Sequence, residues 1–217
     1  MERHTFAMEI KKGQMNSYRK NLGGIWPELT AFLDRHDVRN FSIWSCSSLI
    51  FGYCETDTKK DLYAMATEQI PALIGRMEDT FTWISTPGQN MRLMYHNYGI
   101  IRENKEMIRH RVFMTKLKPG CEEEYKARHD ALIAARGDTP DPGPDSNFSI
   151  WNAGGYIFGY NEIDTSMEVE ETPEAHAASV AWESRQLEIM DWITNDMDWL
   201  TKSYHPASVR LAWHEGR

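Results

Sequence analysis

Residues 40–44 have the sequence NFSIW, and residues 147–151 repeat it letter for letter. Each copy is followed by the tetrapeptide IFGY, at residues 50–53 and again at residues 157–160. Two short runs rich in aromatic and β-branched residues, joined by small polar residues, are typical of a β-hairpin. Because the second hairpin starts at Asn147 and the first at Asn40, a constant 107 residues apart, the chain contains one fold twice.

The flanking segments extend this repeat in both directions. Strands are predicted at 3–11 and 109–118, with His4 matched to His110, and at the end of each copy. There Arg210 is matched to Arg92 and His214 to His96. Each copy is therefore predicted to be β-α-β-β-α-β, the ferredoxin-like arrangement. The fold class is α+β, with two tandem ferredoxin-like domains, at 1–100 and 106–217, forming an intramolecular pseudo-dimeric α/β barrel.

Glycine, proline and apolar spacing predict the helices. The first helix is expected to be interrupted at Gly23-Gly24. A long helical stretch is expected at 59–83, restarting at Pro71, and another begins at Pro173 after the N-cap Thr172. This last helix is expected to carry a buried stripe formed by Leu187, Met190, Ile193, Met197 and Leu200, widened by Trp182, Trp192 and Trp199.

Composition excludes several classes of function. A net charge of −8 argues against nucleic-acid partners, which require a basic face. No apolar run is long enough for a membrane span, and the N-terminus lacks a signal-peptide pattern. Three cysteines form neither a disulfide framework nor a metal-binding spacing. We therefore expect a cytoplasmic protein with no membrane partner and no metal.

Tyr125 and His129 form the strongest candidate for chemistry. Four residues apart on one predicted helix, they place a phenol and an imidazole on the same side. Histidine is well suited to proton transfer near neutral pH, although a packed tyrosine beside an exposed histidine fits the same spacing. The first copy has Tyr18 and Leu22 at these positions, so it keeps the phenol and lacks the imidazole.

A resemblance to a known family follows from these motifs. Tyr18, the IWPEL run at 25–29 and NFSIW at 40–44 resemble the L-rhamnose mutarotase family, and so does Arg3 with the FAM run at 6–8. The family consists of small dimeric α+β barrels whose members interconvert the anomers of a 6-deoxy sugar. Its helix carries a Tyr-x-x-x-His motif, which Tyr125 and His129 match.

The resemblance implies a cofactor-free isomerase. A mutarotase opens a hemiacetal by removing the anomeric proton and protonating the ring oxygen, so an acid and a base suffice. Under this hypothesis His129 donates to the ring oxygen and Tyr125, or a water on it, serves the anomeric hydroxyl. The family's tyrosine after the hairpin asparagine is replaced by Phe41 and Phe148. The candidate substrate-binding residues are Tyr18, Trp26, Phe148, Trp151, Trp192, His214 and Arg210.

Three functions remain open at this point. The first is a mutarotase or epimerase acting on a 6-deoxy or related aldose, with its working site in the second copy. The second is a non-catalytic sugar-binding or scaffolding pseudo-dimer, and the third is another isomerase or cofactor-independent reaction on the same barrel. The expected partner is a small-molecule sugar, and further homo-oligomerisation is compatible with each function.

Overall fold

The structure, a computed structural model, describes residues 1–137, 139–194, 197–198, 203–204 and 208–216. These residues form two five-stranded antiparallel sheets, a two-stranded ribbon and five α-helices. The predicted mixture of helices and antiparallel sheets is thus confirmed. None of the described helices is long and apolar enough to cross a membrane.

The first copy begins with strand β1 and helix α1 and continues through the NFSIW hairpin. The bounds are β1 Glu2–Ile10, α1 Met15–Arg35, β2 Arg39–Cys46, β3 Leu49–Thr56, α2 Leu62–Gln69, α3 Pro71–Glu78, β4 Phe81–Trp83 and β5 Arg92–Asn97. The predicted restart at Pro71 is confirmed. The predicted break at Gly23-Gly24 is wrong, because α1 runs without interruption to Arg35.

The second copy repeats this order. The bounds are β6 Ile108–Leu117, α4 Glu122–Arg136, β7 Asp145–Ala153, β8 Tyr156–Asp164, a 3₁₀ turn Thr165–Met167, α5 Pro173–Gln186, β9 Met190–Trp192, β10 Met197–Asp198, β11 Ser203–Tyr204 and β12 Val209–His214. The predicted helical stripe is wrong, because α5 ends at Gln186 and Met190 begins a strand. Trp199, Leu200 and the side chain of Met197 lie outside the described residues.

The two copies exchange their last strands. The first sheet has the order β12-β2-β3-β1-β4, and the second has the order β5-β7-β8-β6-β9. The compact units are consequently 1–91 with 209–217, and 92–208, rather than the continuous repeats 1–100 and 106–217. Sequence similarity locates the repeats, whereas strand pairing decides which unit each last strand joins.

The strand register corrects both predicted pairs of matched histidines. Arg3 pairs with Glu55 and His110 with Glu162, so His110 occupies the position of Arg3 rather than that of His4. In the last strands His214 pairs with Phe41, whereas His96 pairs with Ser149. The predicted matches are thus one residue out of register, and such a slip moves a side chain to the other face of a sheet. The match of Arg92 to Arg210 fails for the same reason.

The glycine of each IFGY tetrapeptide is explained by a ring lying over it. A methyl group at Gly52 would overlap the ring of Phe6, and one at Gly159 would overlap the ring of Phe113. Each glycine pairs directly with that phenylalanine on the neighbouring strand. The repeated glycine therefore lets an aromatic ring lie flat across the sheet.

The hairpin asparagines shape a bulge and bind a buried acid. Asn40 and Asn147 have φ of 52° and 51°, a left-handed conformation that asparagine tolerates. The Nδ2 group of Asn147 donates to Oε1 of Glu162 at 3.1 Å, and the Tyr160 hydroxyl donates to the same oxygen at 3.0 Å. Glu162 is fully buried and forms an ion pair with Lys105 at 2.6 Å. The repeated acid after each tetrapeptide is therefore structural.

Candidate functional site

Helix α4 presents Tyr125 and His129 to the interior of the second unit. These two residues are the buried positions of the helix, whose first turn carries Glu122, Glu123 and Glu124. Acidic residues in a first turn favour the helix by interacting with its dipole. The i, i+4 spacing places the phenol and the imidazole on one side of the helix, as the sequence predicted, and the structure shows that this side faces inwards.

The imidazole of His129 is enclosed by aromatic rings. Its ring stacks on Tyr125 at a centroid distance of 4.2 Å and meets Tyr95 and Trp182 edge-on, each at 5.4 Å. His129 is 4% exposed, and this burial lowers the pKa of its imidazole below 6.5. The residue is therefore mainly neutral at pH 7.

A backbone hydrogen bond fixes the tautomer of His129. Its Nδ1 lies 2.9 Å from the carbonyl oxygen of Tyr125, and a carbonyl can only accept. Nδ1 therefore carries the proton, and in the neutral ring Nε2 is left with a lone pair. This arrangement suits Nε2 to take a proton from a ligand.

His129 lines a cavity of about 210 Å³ in the second unit. The lining comes from the sheet face, α4 and α5: Tyr95, Arg111, Phe113, Thr115, Tyr125, His129, Leu132, Phe148, Ile150, Trp182, Glu183, Gln186 and Met190. Aromatic walls with a few convergent polar groups are typical of a small-molecule site.

Glu183 gives this cavity a second titratable group. Burial raises the pKa of its carboxyl to about 7, against a smaller opposing effect of the Arg111 charge. The pKa of Tyr125 is raised mainly by burial and further by the negative charge of Glu183. Near neutral pH the cavity thus holds a neutral imidazole, a neutral phenol and a carboxyl that is partly protonated.

Two further polar side chains face the cavity without hydrogen bonds to the described residues. These are the amide of Gln186, which is 2% exposed, and the hydroxyl of Thr115, which is 1% exposed. Buried polar groups are nearly always paired, so their presence in a cavity wall is suited to a polar ligand. Sequence reasoning missed Glu183, Gln186, Thr115 and Tyr95, because no local spacing connects them to α4.

The first unit contains a corresponding but apolar cavity of about 180 Å³. Tyr18 lines it at the position of Tyr125, and Leu22 takes the place of His129. Neither residue is among the described lining residues of the His129 cavity.

Of the seven predicted binding residues, Phe148 is the one among the described lining residues of the His129 cavity. Trp151 follows Ile150 on β7, and its Nε1 donates to Ser149 Oγ at 2.9 Å. Trp192 packs against the core of the second unit, whereas Trp26 packs against that of the first. These tryptophans therefore support the cores rather than line the two cavities.

His214 and Arg210 belong to the first unit, because β12 joins its sheet. His214 Nε2 lies 2.8 Å from Asp34 Oδ1, and the guanidinium of Arg210 lies over the rings of Trp44 and Trp213 at 5.7 and 5.3 Å. Both residues have structural partners there, and neither is among the described lining residues of the His129 cavity. Within the described ranges, no cluster of three or more His, Cys, Asp or Glu residues could hold a metal ion.

Comparison with known proteins agrees with the repeat. The model of the L-rhamnose mutarotase family matches residues 3–91 and 110–208. An L-rhamnose mutarotase of Oceanobacillus iheyensis is 32% identical over 72 residues, which are 32% of this chain and 69% of that protein. One of Bacteroides thetaiotaomicron is 34% identical over 59 residues, 26% of this chain and 57% of that protein.

Each of these two matches is shorter than one copy of the repeat, whereas the family model matches a segment in both copies. Together the two matched segments span most of the chain. The chain therefore belongs to the L-rhamnose mutarotase family.

Proposed function

We propose that the second unit is a cofactor-free sugar mutarotase that interconverts the anomers of a 6-deoxy or related aldose. One observation carries this proposal: a single cavity holds a buried neutral imidazole and a carboxyl whose pKa is raised to about 7. A base and an acid that are both competent near neutral pH are what hemiacetal opening requires.

The proposed chemistry reverses the role that the family motif implies for His129. Nε2 of His129 accepts the proton of the anomeric hydroxyl, while protonated Glu183 donates to the ring oxygen. The C1–O5 bond breaks and the C1 aldehyde forms. After rotation about C1–C2 the ring closes, O1 regains a proton from His129, and the ring hydroxyl returns its proton to Glu183.

The remaining lining residues bind and orient the sugar. The raised pKa of Tyr125 keeps its phenol protonated, so it serves as a hydrogen-bonding group and not as the base. Phe148 offers an apolar wall to the sugar face, and the amide of Gln186 can pair with ring hydroxyls. The half-buried ring of Phe148 has no hydroxyl, and this suits a deoxygenated position of the substrate.

Anomer exchange provides the test. Saturation-transfer NMR on equilibrated L-rhamnose and L-fucose, corrected for the uncatalysed rate, should show exchange that depends on the protein. His129→Gln and Glu183→Gln should each lower the rate by about 10²- to 10⁴-fold. His36→Gln in the first unit and Glu174→Gln in the first turn of α5 are matched controls that should retain it.

The outcomes separate the functions left open by the sequence. A sugar that binds without exchanging anomers would favour the non-catalytic sugar-binding role. Anomer exchange that persists undiminished in both His129→Gln and Glu183→Gln would remove the roles assigned to His129 and Glu183.

We further propose that the two copies are ferredoxin-like and form an internal pseudo-dimeric barrel, as in the family. The exchange of β5 and β12 between the sheets supports this arrangement. Light scattering on the 25.2 kDa chain tests it: a monomer is expected, and a stable homodimer would indicate that further assembly is needed.

A further inference from the structure

The first unit's cavity is the second unit's cavity with its polar groups replaced. Met8 and Thr115 have the same register, pairing with Ile50 and Ile157 respectively. The backbone amide of Thr80 donates to the carbonyl of Met77, and in the second unit the backbone amide of Ile189 donates to the carbonyl of Gln186 in the same way. Met77 therefore corresponds to Gln186.

One helical turn earlier, Ile74 corresponds to Glu183, and on the other helix Leu22 corresponds to His129. All four apolar replacements line the first cavity. The replacements are Met8 for Thr115, Leu22 for His129, Ile74 for Glu183 and Met77 for Gln186.

Aromatic rings complete the apolar wall. Phe6, Phe81 and Trp83 line the cavity, with Phe6 and Phe81 each packed edge-on against Trp83 at 6.2 and 5.1 Å. At about 180 Å³ the space is similar to apolar cavities of about 150 Å³ that bind benzene. A sugar would find almost none of its hydroxyl groups paired here, at a large cost in desolvation.

One polar group in this wall, the Tyr18 hydroxyl, is fully buried and has no hydrogen-bond partner among the residues that the structure describes. Burial also raises the pKa of Tyr18, so its hydroxyl is a neutral donor at physiological pH. Other polar side chains of the lining have partners, as His4 has in Thr56 and Tyr63 in Glu78.

We propose that the first unit binds a neutral, single-ring aromatic molecule carrying one oxygen acceptor, to which the Tyr18 hydroxyl donates. The ring fills the apolar space, and the acceptor pairs the buried phenol. The mainly apolar lining disfavours charged ligands and sugars. The two copies therefore recognise different classes of small molecule, and this inference stands whether or not the second unit is a mutarotase.

The test compares two probes of equal size, acetophenone and ethylbenzene, of which only acetophenone has the acceptor. Calorimetric titration of the full chain should show both binding, with acetophenone the tighter. Tyr18→Phe should weaken acetophenone binding by about 5- to 10-fold and leave ethylbenzene binding unchanged. Tyr125→Phe, the matching change in the second unit, should alter neither affinity.

A second variant tests the location without removing the phenol. Leu22→Phe should fill the cavity and reduce binding of both probes, and thermal unfolding of each variant confirms that it is folded. Should Tyr18→Phe fail to fold, the ¹³C carbonyl shift of labelled acetophenone on the wild-type chain reports the hydrogen bond directly. Failure of either probe to bind, or equal sensitivity to Tyr125→Phe, would overturn the proposal.

Discussion

At the scale of single residues, burial shifts His129 and Glu183 in ways that complement each other. Removal from water disfavours the charged form of each group, so the pKa of His129 falls below 6.5 and that of Glu183 rises to about 7. One cause thus yields a neutral base and a partly protonated acid in one cavity near neutral pH. The Tyr125 carbonyl accepts a hydrogen bond from Nδ1 of His129 and so leaves Nε2 as the basic nitrogen.

The two pKa shifts predict a bell-shaped pH dependence of kcat/KM for anomer exchange. The rate should rise as His129 loses its proton below pH 6.5, and fall as Glu183 ionises above about pH 7. NMR exchange rates from pH 5 to 9 measure this. The residual activity of Glu183→Gln should lack the alkaline decline, and a wild-type rate that stays constant between pH 7 and 9 would contradict the role of Glu183.

Glu183 also predicts a pH dependence of stability. Its folded-state pKa of about 7 exceeds the usual 4.5, so the folded state binds more protons and its stability falls as pH rises from 4.5 through 7. Glu183→Gln should therefore raise the free energy of unfolding at pH 8 relative to pH 4 by about 1–2 kcal/mol. Urea unfolding at both pH values measures this difference, which should be absent in Glu174→Gln.

At the scale of elements, each hairpin carries a glycine over which a phenylalanine ring of the neighbouring strand packs. Because Phe6 lies over Gly52 and Phe113 over Gly159, each β-sheet is built around a position that admits no Cβ. The recurrence of IFGY thus records a packing requirement. Helix α1 places no such demand on Gly24, whose added Cβ would meet no described atom within 4 Å.

Alanine at Gly52 should consequently destabilise the protein by about 1–3 kcal/mol through overpacking. Gly24→Ala should instead stabilise by about 0.5–1 kcal/mol, because alanine restricts the unfolded chain. Denaturant unfolding gives both values. Adding Phe6→Leu to Gly52→Ala should recover part of the loss, and equal effects of the two glycine variants would refute this account.

At the scale of the whole molecule, strand exchange makes the first unit discontinuous in sequence, because it combines residues 1–91 with residues 209–217. Strand β12 lies at the edge of the first sheet, beside β2. Its loss would leave the backbone of β2 unpaired along that edge, although more than 100 residues separate the two strands. We therefore expect the first unit to depend on the C-terminal strand.

Deletion of residues 209–217 tests this dependence. Hydrogen exchange should accelerate in β2, residues 39–46, and the truncated protein should tend to aggregate through the exposed edge. Strand β7, residues 145–153, keeps its partner β5 and should remain protected. Equal protection of β2 before and after deletion would show that β12 is not needed to hold that edge.

The sequence by itself determined the duplication, the two hairpins and the helix side shared by Tyr125 and His129. These features depend on local spacing, namely alternation along strands and the i, i+4 period of helices. A family is recognised by short local motifs, so the family of this chain could be recognised from the same segments of sequence.

Tertiary structure alone decided the strand exchange and the one-residue difference in register between His96 and His214. It also decided that Glu183 and Gln186 line the same cavity as His129. Sequence similarity does not specify which edge a last strand will join, since either sheet offers the same backbone hydrogen bonds. Likewise, nothing in the sequence around Glu183 distinguishes it from an ordinary acidic residue on a helix surface. Its place in the wall of the His129 cavity partly buries its carboxyl, and that burial gives it a pKa suited to proton transfer.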